Sequence, residues 1–116
     1  TDKYLKGIPD DARVNRPGGG SLKAEHLSDA NIEHVRALNE IAKRRGQSLA
    51  QLALSWALRD ARVSSVLIGA SRPEQIADNV AAMQGAPLSA QDLADIDQFA
   101  IDGGVNLWQR SSTDFK

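Results

Sequence analysis

The chain has 116 residues, of which 14 are basic and 15 acidic, and it contains no cysteine. A formal net charge of -1 gives no overall field for nucleic acid or an anionic membrane. The lack of cysteine excludes disulfides and thiolate metal sites, and it fits a cytoplasmic protein. Apolar stretches are only a few residues long, so neither a signal peptide nor a membrane-spanning segment is expected.

The first part of the chain contains few signals of regular structure. Lys3 and Tyr4 are adjacent, and adjacent side chains cannot easily aim at one reacting atom, so we interpret Tyr4 as a packing residue. Residues 14–24 include a proline followed by three glycines, which disfavours regular structure and predicts a flexible loop. Such a loop either closes over a ligand or serves as a plain linker.

Two amphipathic helices are predicted next. Residues 28–45 carry apolar residues at helical spacing, and Gly46 follows where a helix C-terminal cap belongs. Ser48 and Gln51 form the pattern of a capping box for the second helix. Its apolar stripe consists of Leu49, Leu52, Ala53, Trp56 and Ala57. A helix with so wide an apolar surface must be covered on more than one side.

The central part of the chain changes from an apolar run to a helix within a few residues. Residues 63–68, Val-Ser-Ser-Val-Leu-Ile, predict a buried strand of a parallel sheet, which closes at Gly69. Ser71 is the predicted helix N-cap and Glu74 completes a predicted capping box. Pro73 falls in the first turn, where a missing N–H costs little. A helix N-terminus is therefore expected directly after the strand.

This junction has the features of an anion site. The free N–H groups and the positive dipole end of a helix attract anions, and Arg72 adds a guanidinium suited to phosphate. Gly69 would let a ligand approach the backbone, while Gln75 and Asn79 share one helix face and could reach a polar body attached to a phosphate. An ordinary capped strand-helix unit explains part of the pattern equally well. The combination of these side chains favours phosphate binding.

The last predicted elements are helical. Ile76, Val80 and Met83 give the helix after the junction its inner face, and Gly85 and Pro87 end it. A further helix begins at Ser89, with Asp92 at its N3 position, and extends to the glycines at 103 and 104. Its buried side is predicted to consist of Leu93, Ile96, Phe99 and Ala100.

Residues 67–79 (Leu-Ile-Gly-Ala-Ser-Arg-Pro-Glu-Gln-Ile-Ala-Asp-Asn) closely resemble the adenosine-phosphate segment of the aldo-keto reductases. Residues 47–56 are similar to the helix before that family's last strand. The tail, residues 105–109, resembles the branch that includes bacterial glyceraldehyde 3-phosphate reductase. The resemblance implies an α/β fold: a single partial domain, 1–116, forming the C-terminal portion of a (β/α)8 TIM barrel. The segment itself would be mostly α-helical with one or two strands.

The resemblance also implies a cofactor and a reaction. The family binds NADP, and the matching cofactor-binding residues here are Lys3, Arg13, Gly69, Ser71, Arg72, Gln75 and Asn79. Lys3 and Arg13 match residues that contact the pyrophosphate, and they could equally be solvated surface charges. The complete enzyme would reduce an aldehyde or ketone with NADPH. Its catalytic residues belong to upstream segments, so none is named here and the segment alone is predicted to be inactive.

Two other functions remain open. The family includes potassium-channel β subunits, which implies a regulatory NADP-binding protein as one alternative, and a stand-alone helical phosphate-binding module is another. Neither a nucleic acid nor a membrane is expected as a partner, and His26 and His34 lack the spacing of a zinc motif. Association with the missing N-terminal part, or with a second copy, is expected to cover apolar surface along Leu49, Leu52 and Trp56.

Overall fold

The computed structural model describes residues 5–6 and 28–103. These residues form four α-helices and one 3-10 turn, and their bounds are α1 Asp29–Arg44, α2 Leu49–Ala57, α3 Pro73–Ala81, the turn Ala82–Gln84 and α4 Ala90–Asp97. No helix within these ranges is both long enough and apolar enough to span a bilayer. The predicted loop at 14–24 and the tail at 105–109 lie outside the described residues.

Helix α1 ends at a glycine, as its sequence predicts. Gly46 has a φ of 69°, a left-handed conformation that glycine adopts without a steric penalty. Its N–H donates to the carbonyl of Lys43 at 2.9 Å, and the N–H of Gln47 donates to the carbonyl of Ala42 at 2.9 Å. These two bonds form a Schellman motif, which satisfies carbonyls that the helix end would otherwise leave unpaired.

Capping boxes start α2 and α4, which confirms the box predicted for α2 and the predicted N3 position of Asp92 in α4. Ser48 Oγ accepts from the Gln51 N–H at 3.2 Å, and Gln51 Oε1 accepts from the Ser48 N–H at 3.0 Å. Ser89 and Asp92 make the equivalent pair at 3.0 and 3.1 Å. Helix α4 ends at Asp97 and does not continue to residue 103 as expected. The N–H groups of Phe99 and Ala100 both donate to the Ile96 carbonyl in the turn that follows.

Three helices share the hydrophobic core. Its buried residues are Ile41 and Ala42 of α1, Leu52 of α2 and Ile96 of α4, with Leu38, Trp56, Leu88 and Phe99 packed around them. Leu52 is only 2% exposed, and Leu49 and Trp56 are half-buried. The expectation of exposed apolar surface is therefore wrong for Leu52, which α1 and α4 cover, while Leu49 and Trp56 keep part of their surface exposed and the expected association stays a prediction.

Arg45 connects the end of α1 to the start of α4. Its guanidinium donates to the carboxylate of Asp92 at 2.5 Å, to the carbonyl of Ala86 at 2.6 Å and to Gln47 Oε1 at 2.9 Å. The side chains of Arg45 and Asp92 are 11% and 14% exposed, so water screens this pair little. Hydrogen bonds from Ser89, together with the nearby Arg45, hold the pKa of Asp92 below its ordinary value.

The predicted strand is not formed among the described residues. Residues 63–68 have no regular secondary structure, and Leu67 is 99% exposed. A strand is stabilised by hydrogen bonds to neighbouring strands and by packing on its faces, and the described residues contain no other strand to pair with it. The predicted inner face of α3 is exposed for the same reason: Ile76, Val80 and Met83 meet no sheet here, and they are at least half exposed.

We expect the Arg45 contacts to stabilise the packing of α1 on α4. Arg45→Met keeps the apolar stem but removes the closest cation from Asp92 and the guanidinium donor from the Ala86 carbonyl, so the free energy of unfolding should fall by about 2 kcal/mol. Urea denaturation followed by tryptophan fluorescence measures this change. Lys43→Met removes an exposed ion pair with Glu40 from the same helix end, and it should cost less than about 0.5 kcal/mol. Equal losses in the two variants would contradict the assignment.

Candidate functional site

A cleft opens where α1, the start of α2 and the start of α3 meet, and we call it the three-helix cleft. Its volume is about 470 Å³, which lies within the range of small-molecule sites. Its lining residues are Asn39, Ser48, Leu49, Ala50, Gly69, Arg72, Glu74, Gln75, Asp78 and Asn79. The two helix N-termini and several polar side chains make this cleft suited to a polar or anionic ligand.

The cleft contains most of the sequence-predicted site residues that the structure describes. Gly69, Arg72, Gln75 and Asn79 all line it. Ser71 does not line it but directly precedes Arg72. Lys3 and Arg13 lie outside the described residues, so their proposed roles stay predictions.

The start of α3 differs by one residue from the sequence prediction. Arg72, not Ser71, is the N-cap, Pro73 is the first helical residue, and Gln75, not Glu74, occupies N3. The predicted Ser71–Glu74 capping box is therefore wrong. Proline is favoured at the first helical position because its fixed φ suits the helix and its missing N–H leaves no donor unpaired there. With Pro73 in that position, the residue that reaches back to the N-cap is Gln75.

Three donors converge on one oxygen atom beside the cleft. Gln75 Oε1 accepts from the Ser71 N–H at 2.8 Å, from the Ser71 hydroxyl at 3.2 Å and from the Arg72 N–H at 3.2 Å. The backbone N–H groups expected to be free for a ligand are thus occupied by a side-chain oxygen. The turn thus directs three donors toward a single oxygen, as a helix cap does.

Gly69 lies on the cleft wall with open space around it. A methyl group placed at its Cα would meet no atom within 4 Å, and its φ is not positive. Neither backbone conformation nor packing among the described residues therefore requires glycine at this position. A close approach by a bound ligand would require it, as the sequence predicts.

Helix α3 is tied to α2 by side chains that also cap α2. Gln51 Nε2 donates to the carbonyl of Asp78 at 2.8 Å and to its carboxylate at 3.0 Å. Ser48 Oγ donates to the same carboxylate at 3.1 Å. These contacts join residues 27 to 30 positions apart, and they fix the wall of the cleft that carries Gln75 and Asn79.

The charges in the cleft favour one end for an anion. Arg72 is its cation and makes no side-chain ion pair or hydrogen bond among the described residues, so its guanidinium is available there. Glu74 and Asp78 are acidic, and Asp78 is held by Ser48 and Gln51. The attraction for a phosphate is thus strongest at the Arg72 side chain, while Glu74 in the first turn of α3 and Asp78 in the next turn oppose it.

Sequence reasoning missed the walls contributed by α1 and α2, including Asn39, Leu49 and Ala50, and it also missed Asp78 of α3. The capping pattern at Ser48 and Gln51 predicted the local structure but contained no signal for the contact with Asp78. Among the described residues, no group of three His, Asp or Glu side chains is arranged to hold a metal ion.

Comparison with known proteins gives a consistent family assignment. Residues 3–101 match the model of the Aldo/keto reductase family. The chain is 54% identical over 114 residues to L-glyceraldehyde 3-phosphate reductase of Escherichia coli strain K12, covering 97% of this chain and 33% of the relative. It is 53% identical over 114 residues to the protein of the same name from Escherichia coli O157:H7, with the same coverage.

A second group of relatives has a different name. A probable voltage-gated potassium channel subunit beta of Oryza sativa subsp. japonica is 38% identical over 96 residues, covering 82% of this chain and 29% of the relative. The chain spans about one third of the length of the curated reductases it matches.

We expect the side chain of Gln51 to hold α3 against α2. Gln51→Ala removes one half of the α2 capping box and both bonds to Asp78, so the amides of α3 should exchange with solvent roughly tenfold faster or more, corresponding to about 1–2 kcal/mol. Hydrogen exchange with mass spectrometry measures this directly. Gln91→Ala, which removes one exposed bond to Asp95 in α4, is the matched control and should leave α3 unchanged. Unchanged exchange in the Gln51 variant would show that packing alone positions α3.

Proposed function

The chain belongs to the aldo/keto reductase family, and from that premise we propose that it supplies the NADP-binding segment of a reductase that uses NADPH to reduce an aldehyde or ketone. The segment is proposed to be the C-terminal part of a (β/α)8 barrel. In the complete sheet, residues 63–68 would form a strand, and the exposed apolar side of α3 would pack against that sheet.

The observation that carries this proposal is the convergence of donors on Gln75 Oε1. A phosphate oxygen can accept the same three hydrogen bonds from Ser71 and Arg72, and its negative charge makes each of them stronger than a bond to a neutral amide oxygen. The Arg72 guanidinium lies on the wall of the adjoining cleft and can donate two further bonds to a phosphate. We assign this place to the phosphate that distinguishes NADP from NAD.

The remaining predicted residues fit the rest of the cofactor. Gln75 and Asn79 are four residues apart on one face of α3, and both line the cleft together with Arg72. Once the phosphate has displaced the Gln75 oxygen, both carboxamides would hold the adenosine. The open space at Gly69 would admit the cofactor close to the backbone. Lys3 and Arg13 are proposed to contact the pyrophosphate.

In this assignment the chain binds and orients the cofactor and takes no part in proton transfer. Bound NADPH supplies a hydride to the carbonyl carbon of the substrate. An acid elsewhere in the complete protein must protonate the developing alkoxide, and no residue of this chain is assigned to that role. Fixing the adenosine and its phosphate contributes binding energy remote from the reacting carbon, which helps to hold the nicotinamide in position.

A regulatory NADP-binding subunit is the alternative, and the similarity to potassium-channel β subunits favours it. The identity of 54% to the reductase, against 38% to the channel subunit, favours the enzyme. Both functions use the proposed cofactor site. They differ in whether the complete protein turns over substrate.

We expect Arg72 to select NADP over NAD. Arg72→Ala should weaken NADPH binding to the complete protein by roughly tenfold to a hundredfold, which corresponds to about 1.4–2.8 kcal/mol, because charged hydrogen bonds to the phosphate are lost. NADH binding should hardly change. Fluorescence titration of both cofactors at fixed salt measures the two affinities. Arg62→Ala is the matched control, since Arg62 is exposed and paired with Asp60 outside the cleft. Equal weakening of both cofactors would contradict the phosphate assignment.

We expect the complete protein to oxidise NADPH when an aldehyde is supplied, and the 116-residue segment alone to show no turnover above the buffer control. The segment lacks an assigned acid, so a bound nicotinamide would have no group to protonate the alkoxide. Absorbance of NADPH at saturating aldehyde measures the rate. Tight NADPH binding without turnover by the complete protein would favour the regulatory alternative. Turnover by the segment would show that it contains a catalytic group.

A further inference from the structure

We propose that residues 104–116 pack over an apolar cavity, which we call the Trp56 groove, and that Trp108 fills it. The groove has a volume of about 150 Å³ and opens between α1, α2 and the turn after α4. An apolar cavity of about this size stays dry and accommodates a benzene-sized group. The residues that line the groove include Leu38, Leu52, Ala53, Trp56, Ile96 and Ala100.

The indole of Trp56 indicates that a further segment packs against the groove. Its Nε1 is buried and has no hydrogen-bond partner among the described residues. A buried indole N–H usually donates to an acceptor, because an unpaired donor costs its full desolvation energy. The guanidinium of Arg59 lies 3.6 Å from the ring centroid and donates to the Trp56 carbonyl at 2.7 Å, so the ring is held in place. The missing acceptor must therefore approach the indole from outside the described residues.

The groove is a different surface from the one assigned to the barrel sheet. In the proposed function the sheet covers the exposed apolar side of α3, and α3 does not line this groove. Helices α1 and α4 cover Leu52, which is 2% exposed, whereas Ala53 next to it is exposed. The side of α2 that carries Ala53 and Trp56 is thus open to another occupant.

The chain after α4 runs along the start of α1. The rings of Phe99 and His34 lie 6.4 Å apart, and the Gly103 carbonyl accepts from Asn31 Nδ2 at 3.1 Å. A Cβ at Gly103 would lie only 2.7 Å from Asn31 Oδ1, so the backbone lies directly against α1 there. Residues 104–116 therefore begin beside the first turn of α1.

This starting point is close enough to the groove for the segment to return to it. Asn31 and Leu38 are seven positions apart on one face of α1, which corresponds to about 10.5 Å along the helix. Five extended residues span up to about 17 Å, so Trp108 can reach the groove from Gly103.

The composition of the segment matches the groove. Its apolar residues cluster at 105–108, Val-Asn-Leu-Trp, whereas residues 109–114 are all polar. The six-membered ring of Trp108 has the size that the cavity accommodates, and each backbone carbonyl of the segment is an acceptor suited to the Trp56 indole. The apolar cluster and the unpaired indole thus complement each other.

Photocrosslinking from the groove identifies the occupant. Ala53→Cys in the complete protein is labelled with a benzophenone maleimide and irradiated, and the joined peptides are identified by mass spectrometry. Ala61→Cys is the matched control, since Ala61 is exposed outside the groove, and labels at other cysteines occur in both variants. We expect a cross-link from residue 53 to residues 104–116 in the monomer band. A cross-link to the N-terminal part of the complete protein or to a second copy, or none, would overturn the inference.

Hydrogen exchange with mass spectrometry gives a second readout that needs no label. In the complete protein, Trp108→Ala should let the amides of α2 exchange roughly tenfold faster or more while α3 is unchanged, because loss of a packed aromatic side chain uncovers the groove. Thr113→Ala removes a polar side chain of the same segment and should leave α2 unchanged. Unaltered exchange of α2 in the Trp108 variant would contradict the proposal. Neither measurement involves the cofactor, so both outcomes are independent of the proposed function.

Discussion

The carboxamide of Gln51 holds two helices in place at once, because its oxygen closes the capping box of α2 while its nitrogen donates to Asp78 of α3. Ser48 has the same double role through its hydroxyl. The wall of the three-helix cleft therefore depends on the correct start of α2. The cap of α2 and the position of the cleft wall formed by α3 depend on the same two side chains, so a change at either residue should affect both.

Local structure was predictable from the sequence where neighbouring residues determine it. The glycine end of α1, the capping box of α2 and the start of α4 at Ser89 with Asp92 at N3 involve residues at most a few positions apart, and all three were predicted correctly. The start of α3 was predicted one residue too early, because the Ser71–Glu74 pattern overlaps with the arrangement of Arg72 and Gln75 that the structure adopts. The position of Pro73, with glutamine two residues later, contained the signal that decides between them.

Contacts between distant residues had no such signal. Arg45 and Asp92 are 47 positions apart, and Gln51 and Asp78 are 27 apart, so neither pair follows from spacing or composition. Four residues of the predicted phosphate site do line one cleft, because they lie together in one short segment of the chain, and their role stays a prediction. Asn39 lines the same cleft from α1, and the sequence contained no signal for that. The strand at 63–68 depends on neighbouring strands more than on its own residues, and no such neighbour is present in the described part of the chain.

The oxygen of Gln75 has a further consequence for how a ligand enters. Because it is covalently attached to the helix it caps, it acts as an intramolecular competitor at a high effective concentration. It keeps the three donors aligned, so the proposed phosphate would not have to order this turn on arrival. That phosphate would displace the Gln75 oxygen, and a neutral oxygen acceptor would displace it far less readily than a doubly charged one. In the proposed function the same side chain would preorganise the turn and filter ligands by charge.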